Sequence, residues 1–290
     1  MALNIVIGIP TVGRAQILCE TLRRLARQTR RPDRVIVCAT KPADVTGAAD
    51  IPGTEVILSS PGLPRQRNAL IAAASDADIM MFFDDDFFSD PDYLAAIERS
   101  MIEDPAIVVA TGLVLRDGIG GPGLAVDEAD ALLAEPRARP TGITPTFSGY
   151  GCNMAVRLTT MREHGLLFDE RLPLYGWQED VDLSRRLGAF GKVVKTAAAF
   201  GIHLGVKHGR NSGVRMGYSQ VANPLYLVRK GARYPLLRAL EHIGRNMAMN
   251  IVHSPRPEPY VDRRGRLRGN LLALGDLLRQ RMAPERVLDL

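Results

Sequence analysis

Three consecutive carboxylates, Asp84-Asp85-Asp86, stand at the exit of an apolar run, Met80-Met81-Phe82-Phe83. Adjacent carboxylates repel one another and lose hydration as they approach a protein interior, so such a run calls for a cation or a set of donors. Their hard oxygens suit Mg2+ or Mn2+, ions that keep coordination positions open for phosphate oxygens. A solvated turn or a calcium site would use the same residues, so the triplet alone leaves its ligand open. A second acidic pair, Glu179-Asp180, follows Trp177. Acidic residues in a first helical turn are favoured by the helix dipole alone. Beside an indole, in a chain that already holds a cation-seeking triplet, they become candidates for a general base next to a flat platform.

The elements that must position these groups follow from periodicity. Residues 4–9 read as a buried strand, followed by a helix in which Ile17, Leu18, Thr21, Leu22 and Leu25 recur at helical spacing. Residues 34–39, 55–58 and 79–83 read as further strands, and residues 64–75 as a helix with Pro64 in its first turn. This alternation predicts right-handed βαβ units and an α/β fold with a mixed, mostly parallel central sheet flanked by helices. Ligands of such sheets sit beyond the carboxyl ends of the strands, the edge that would carry Pro10-Thr11, residues 40–44 and Asp84–Asp86. A helix is expected over 92–103 and a strand over 107–115. Residues 116–146, rich in Gly, Pro and charge, read as a long mobile excursion. Residues 147–156 are expected as a strand interrupted by Gly149 and Gly151, residues 178–187 as a helix, and 216–283 as two or three helices.

The chain has 290 residues, 46% hydrophobic and 24% charged, enough to bury a large core. Cys19, Cys38 and Cys152 are few, distant and odd in number, which fits core thiols in a reducing compartment rather than a disulfide framework. No basic segment precedes an apolar stretch at the start, and no run approaches about 18 apolar residues, so a cytoplasmic protein is expected. The net charge of +5 is uneven: 21 basic against 26 acidic residues lie in 1–202, and 16 against 6 in 203–290. That asymmetry points to an anionic partner for the last third, a phosphate-bearing ligand or an anionic membrane surface, or to a solvated basic face.

The order Ile9-Pro10-Thr11, Pro64-Arg65-Gln66-Arg67-Asn68, Asp84-Asp85-Asp86, Gly149–Asn153 and Trp177-Gln178-Glu179-Asp180-Val181-Asp182-Leu183-Ser184-Arg185-Arg186-Leu187 resembles family 2 glycosyltransferases of the GT-A fold. The resemblance covers about residues 3–205. It implies a catalytic domain over 1–215, with a nucleotide-sugar half (1–115) and an acceptor half (116–215), and a helical C-terminal extension over 216–290. It implies a metal-dependent inverting transferase with Mn2+ or Mg2+ as cofactor and a nucleotide-sugar as donor, a UDP-sugar first among them. Asp84 and Asp86 would bind metal and nucleotide, with Asp86 the direct ligand, and Asp85 would stand with the nucleotide. Pro10, Thr11 and Arg14 would line the nucleotide pocket, and Arg67 would approach the base or phosphates. His203 would be a further metal ligand, a position it fits better than His208. Asp180 would be the general base that takes the proton of an acceptor hydroxyl too weakly acidic to attack unaided. Trp177 and Glu179 would meet the acceptor. Lys207, Arg210 and Arg215 would close over the diphosphate or form an exposed basic loop.

Two departures bear on substrate. The Asp pair that often follows the second strand in that family is replaced by Cys38-Ala39-Thr40-Lys41-Pro42-Ala43-Asp44, where Asp44 would be the substitute, a departure that leaves the nucleotide's identity open. The Gln-x-x-Arg-Trp motif of processive synthases is absent, which favours single additions to a saccharide acceptor. In residues 256–286, eight Arg stand against four acidic residues, with Leu271, Leu274, Leu277 and Leu278 as an apolar stripe. Such a segment can lie on anionic lipid, which predicts peripheral membrane docking. The resemblance to bacterial members of the family implies that the docking is at the inner membrane face and that the acceptor is a lipid-diphosphate-linked saccharide in polysaccharide assembly. Nucleotidyl or phosphoryl transfer and a catalytically silent sugar-nucleotide scaffold are the rival readings. Nucleic-acid binding lacks aromatic-basic interleaving or zinc spacing, and no partner of that class is expected.

Overall fold

The computed structural model describes residues 2–207 and 212–290. The chain divides into two compact units: Met1–Pro61, Arg65–Leu167 and Leu187–Gly209 form one, and Gly62–Pro64, Phe168–Arg186 and Arg210–Leu290 the other.

The first unit is built on β1 (Ile5–Thr11), α1 (Ala15–Leu25), β2 (Arg34–Ala39), β3 (Thr54–Leu58), α2 (Leu63–Ala73), β4 (Ile79–Phe83), β5 (Phe87–Ser89), α3 (Tyr93–Glu103), β6 (Ile107–Asp117), α4 (Val126–Ala134), β7 (Ile143–Pro145), β8 (Asn153–Arg157), α5 (Leu158–Glu163) and β9 (Lys192–His203). The strands form one sheet in the order β3-β2-β1-β4-β8-β6-β9-β5, with β7 on β9. Six strands run one way, and β5, β7 and β8 run against them. β1 and β4 read as continuous apolar runs because both faces are covered, and every residue of each is buried. On one face α1 presents Leu18, Leu22 and Leu25 at three- and four-residue spacing to a core that includes Ile5, Ile7, Val37 and Met81.

Two segments differ from their sequence expectation. Residues 147–152 form a bend and turn rather than strand, and β8 begins only at Asn153. Within 116–146 the chain forms α4 and the short β7, which pairs antiparallel with β9. Gly and Pro flank these elements and mask them.

The second unit contains α6 (Glu179–Leu187), α7 (Gly213–Lys230), α8 (Leu236–His253) and α9 (Arg263–Leu278). α7 and α9 cross closely because both carry glycine there: a Cβ on Gly217 would stand 2.0 Å from the Arg266 carbonyl oxygen, and one on Gly269 2.1 Å from that of Val214. Buried amides join the three long helices. Asn250 of α8 donates to Gln220 of α7 and to Asn270 of α9, each at 2.9 Å, and Asn270 donates to the Gly217 carbonyl at 2.7 Å. Such a network fixes helix register because each buried amide left unpaired would cost about 1–3 kcal/mol. The leucines of α9 divide between two faces: Leu274 and Leu277 pack on the unit's core, while Leu271 and Leu278 face solvent.

Candidate active site

Residues 84–86 are held from both sides. Phe83 and Phe87 are fully buried and stack with centroids 5.3 Å apart, each edge-on to Tyr93 at 5.2 and 5.8 Å. The turn is closed by the Phe87 N–H on the Asp84 carbonyl at 3.1 Å. Aromatic pairs of this kind contribute about 0.5–1.5 kcal/mol beyond their burial, so the carboxylates are presented by a rigid turn.

Sheet pairing brings in the remaining groups. Phe87 of β5 lies opposite His203 of β9, and Asp117 of β6 also stands in register with His203. His203 Nε2 is 3.4 Å from Asp86 Oδ1 and 4.0 Å from Asp84 Oδ2. One ligand atom each from Asp84, Asp86 and His203 lies within 4.8 Å of the others. Asp86 Oδ1 is buried with only the long 3.4 Å approach of His203 Nε2, whereas Oδ2 accepts the Val206 N–H at 2.7 Å. Two carboxylates and an imidazole, with one buried oxygen left for a ligand, fit a small divalent cation.

Asp117 was not legible as a site residue. Its Oδ1 accepts from His203 Nδ1 at 2.9 Å, and its Oδ2 accepts from the Tyr150 hydroxyl at 2.8 Å. This bond turns Nε2 toward Asp84 and Asp86, the arrangement by which a carboxylate sets the tautomer of a metal-binding histidine. Gly118 and Gly205 permit the close passage that brings Asp117 and Val206 to the site: a Cβ on Gly118 would lie 2.0 Å from the Leu204 carbonyl oxygen, and Gly205 has φ +66°. The only sequence signal was an Asp-Gly step after the apolar alternation of β6.

The charges here are strongly coupled. Burial works against a charged His203, but hydrogen bonds to Asp117 and Asp86 and the negative charge of Asp86 and Asp84 raise its pKa to about 10. Burial likewise opposes the Asp86 carboxylate, yet the His203 bond and charge, Arg14 and the Val206 N–H bring it down to about 2. Asp85 is pushed the other way, to about 7, by burial and by Asp86, against the pull of Arg14 and Thr11.

The structure also locates the other sequence candidates. Pro10 and Thr11 end β1, and the Thr11 hydroxyl donates to Asp85 Oδ2 at 2.6 Å. Arg14 pairs with Asp85 at 3.0 Å and Asp86 at 3.4 Å. Asp85 is fully buried and works as a brace between β1 and the turn. Arg67 is 1% exposed, with its guanidinium on Asp84 at 3.4 Å and on the Gly151 carbonyl at 2.8 Å. Asp44 accepts the Gly13 N–H at 2.9 Å and the Thr40 hydroxyl at 2.8 Å, tying the loop after β1 to the segment after β2. Lys207 donates to the carbonyls of Gly118 and Ile119. A cleft of about 400 Å3, lined by Gly13, Arg14, Gln16, Glu20, Val126 and Val206, opens beside Arg14. His208 and Arg210 lie outside the described residues.

Trp177, Glu179, Asp180 and Arg215 belong to the helical unit. Leu174 and Gln178 have positive φ, at 58° and 70°, on either side of Gly176 at 61°, and the strain at the two non-glycine positions marks a shaped loop. It is anchored from α7, where Asn223 donates to the Trp177 carbonyl at 2.8 Å, and by Gln178, which donates to the Tyr234 hydroxyl at 3.2 Å. Glu179 is buried, and half-buried Asp180 accepts the Val181 N–H at 2.8 Å in the first turn of α6. Arg215 Nε donates to the Leu290 carbonyl at 2.8 Å.

Replacing Asp117 by Asn is expected to weaken Mn2+ binding about 10- to 100-fold, read by titration calorimetry, with the melting curve little changed. Equal affinity would leave Asp117 without its positioning role.

Sheet order and acidic turn together define a GT-A glycosyltransferase. The chain belongs to glycosyl transferase family 2, whose model matches residues 6–158. Solved structures share the fold. The mannosyltransferase PcManGT from Pyrobaculum calidifontis, in complex with GDP-Man and Mn2+, is 16% identical over 97% of this chain and 81% of that one, with TM-score 0.57. S. aureus TarS, residues 1–349, is 16% identical over 98% and 82%, with TM-score 0.58. GalNAc-T7 with UDP, GalNAc and Mn2+ is 14% identical over 99% of this chain, which spans 56% of that structure, with TM-score 0.57. A comparison with curated proteins finds no match.

Proposed function

We propose that this glycosyltransferase moves a sugar, with inversion, from a nucleotide-diphospho-sugar to a saccharide hydroxyl, and that Asp84, Asp86 and His203 hold the Mn2+ or Mg2+ it requires. The observation that carries the reading is the convergence of those three ligand atoms within 4.8 Å at the edge of a family 2 sheet. A divalent cation there supplies positive charge against the negative charge that builds on the departing diphosphate.

The chain's own groups do the rest. The Val206 N–H and Arg14 hold Asp86 Oδ2, which leaves Oδ1 for the ligand set. Asp117 holds His203 Nδ1, so Nε2 is the ligating atom. His203 must give up its Nε2 proton to ligate. The cleft beside Arg14 takes the nucleotide, Thr11 braces Asp85 at the end of β1 where Pro10 also stands, and Arg67 steadies Asp84. UDP is the proposed nucleotide; of the similar solved structures, one holds GDP-Man and another UDP with GalNAc. Asp180 takes the acceptor proton, and Trp177 and Glu179 contact the acceptor, roles assigned from their place in the motif at the start of α6. The proposed acceptor is a saccharide on a lipid diphosphate in cell-surface glycan assembly, with the protein at the cytoplasmic membrane face.

A thermal-shift screen of nucleotide-sugars tests the donor assignment. One nucleotide-sugar is expected to raise the melting temperature with Mn2+ and to lose that effect with chelator. A chain indifferent to every nucleotide-sugar in the presence of Mn2+ contradicts it.

A further inference from the structure

Two helices of the C-terminal unit leave apolar side chains in water. On α8, Leu237, Leu240, Ile251 and Val252 are exposed, Leu237 to 81% and Val252 to 70%. At about 100° per residue they share one side of the helix, while Ala239, Ile243 and Asn250 point into the unit. On α9, Leu271, Leu272 and Leu278 are exposed, Leu278 to 85%. Between the end of α8 and the outer face of α9 runs a groove of about 720 Å3 whose walls include Leu267, Leu271 and Leu272 together with Arg264, Arg268 and Arg279. No carboxylate lines this groove. Arg264 donates to the backbone carbonyls of Ser254 and Pro255, and among the described residues no carboxylate pairs with Arg264, Arg268 or Arg279. The acidic residue nearest the α8 stripe in sequence, Glu241, faces Arg245 at 3.6 Å.

From this surface we infer that α8 and α9 dock the protein on an anionic lipid bilayer. Branched aliphatic side chains set among arginines match the boundary between acyl chains and headgroups. The leucines enter the apolar layer, and the arginines lie along it with their guanidinium groups at the phosphates. The charge supports this occupant over a protein: the face offers unneutralised arginines and aliphatic groups. It lacks, on these two helices, the exposed Tyr or Trp anchors around which protein interfaces are usually organised. No helix of the described residues is long and apolar enough to cross a membrane, so the contact is one of lying on the surface. The inference rests on the transferase reading only for its purpose, bringing the enzyme to a lipid-carried acceptor; the surface itself is independent of the metal site.

Co-sedimentation of the full chain with vesicles tests it, without donor or metal. Binding is expected to phosphatidylcholine vesicles containing phosphatidylglycerol at low ionic strength, to fall as salt rises, and to be weak on phosphatidylcholine alone. Each arginine near an anionic surface contributes about 1 kcal/mol, so the Arg268→Gln/Arg279→Gln variant should bind about 30-fold more weakly. Leu271→Ser/Leu278→Ser should also lose binding. All four residues are exposed, so the variants should melt like the parent. Absence of binding at low salt, or equal binding by the arginine variant, overturns the proposal. A concentration-dependent dimer that Leu271→Ser/Leu278→Ser dissociates, with no vesicle binding, overturns it in favour of a second copy. Failed vesicle binding alongside intact donor-dependent stabilisation would remove this surface alone and leave the transferase reading standing.

Discussion

Asp180→Asn is expected to lower kcat for sugar transfer about 10²- to 10⁴-fold while leaving Mn2+ and donor binding at parental values. The amide keeps the shape of the carboxylate and its hydrogen bond from the Val181 N–H, but it cannot take up a proton at neutral pH. An acceptor hydroxyl is an intrinsically poor nucleophile, so the loss should fall on the chemical step, not on KM for the donor. Asp180 is half-buried at a helix start, so the variant is expected to melt like the parent, and the melting curve serves as control. Measured transfer of labelled sugar at the parental rate would remove Asp180 from this role and would direct attention to Glu179.

The second large effect belongs to Asp86→Asn. Asp86 is buried and its carboxylate is held ionised, with His203, Arg14 and the Val206 N–H lowering its pKa to about 2 against the opposing effect of burial. The amide retains one oxygen for Val206 but loses the charge that faces His203 and any bound cation. Mn2+ affinity is expected to fall at least about 100-fold and transfer about 1,000-fold, losses of the size seen when a ligand or a charge-stabilising group is removed. Because the change also leaves Arg14 and His203 less well paired, Asp84→Asn provides the control. Asp84 is partly exposed and lacks those ties to Val206 and Arg14, so it should lose metal with less effect on melting.

The parallel half of the sheet was readable because its strands are apolar throughout and its helices recur at 3.6 residues; β1, β2 and β4 stand where the sequence placed them to within two residues. The acidic turn was readable because three adjacent carboxylates at the end of an apolar strand cannot share that place without a cation or donors. The partner of His203 was hidden. β6 and β9 pair with three register irregularities, and a slip of one residue exchanges the two faces of a strand, so no counting along the chain would place Asp117 opposite His203. Tyr150 was hidden too, in a bend that Gly149 and Gly151 disguised as an interrupted strand. Arg67 reads as a phosphate-seeking cation from type alone; only its burial beside Asp84 and the Gly151 carbonyl reveals a brace. The division of the α9 leucines into a packed and an exposed pair depends on where α7 crosses, which periodicity does not specify.

Calorimetric titration of Mn2+, in the presence of the stabilising nucleotide-sugar, tests the central claim most directly. One ion per chain should bind to the parent and to Asp180→Asn with the same affinity, and Asp86→Asn should show no saturable binding in that range. A parent that takes up no Mn2+, or an Asp86→Asn variant that binds it as the parent does, would contradict the assignment of the acidic turn.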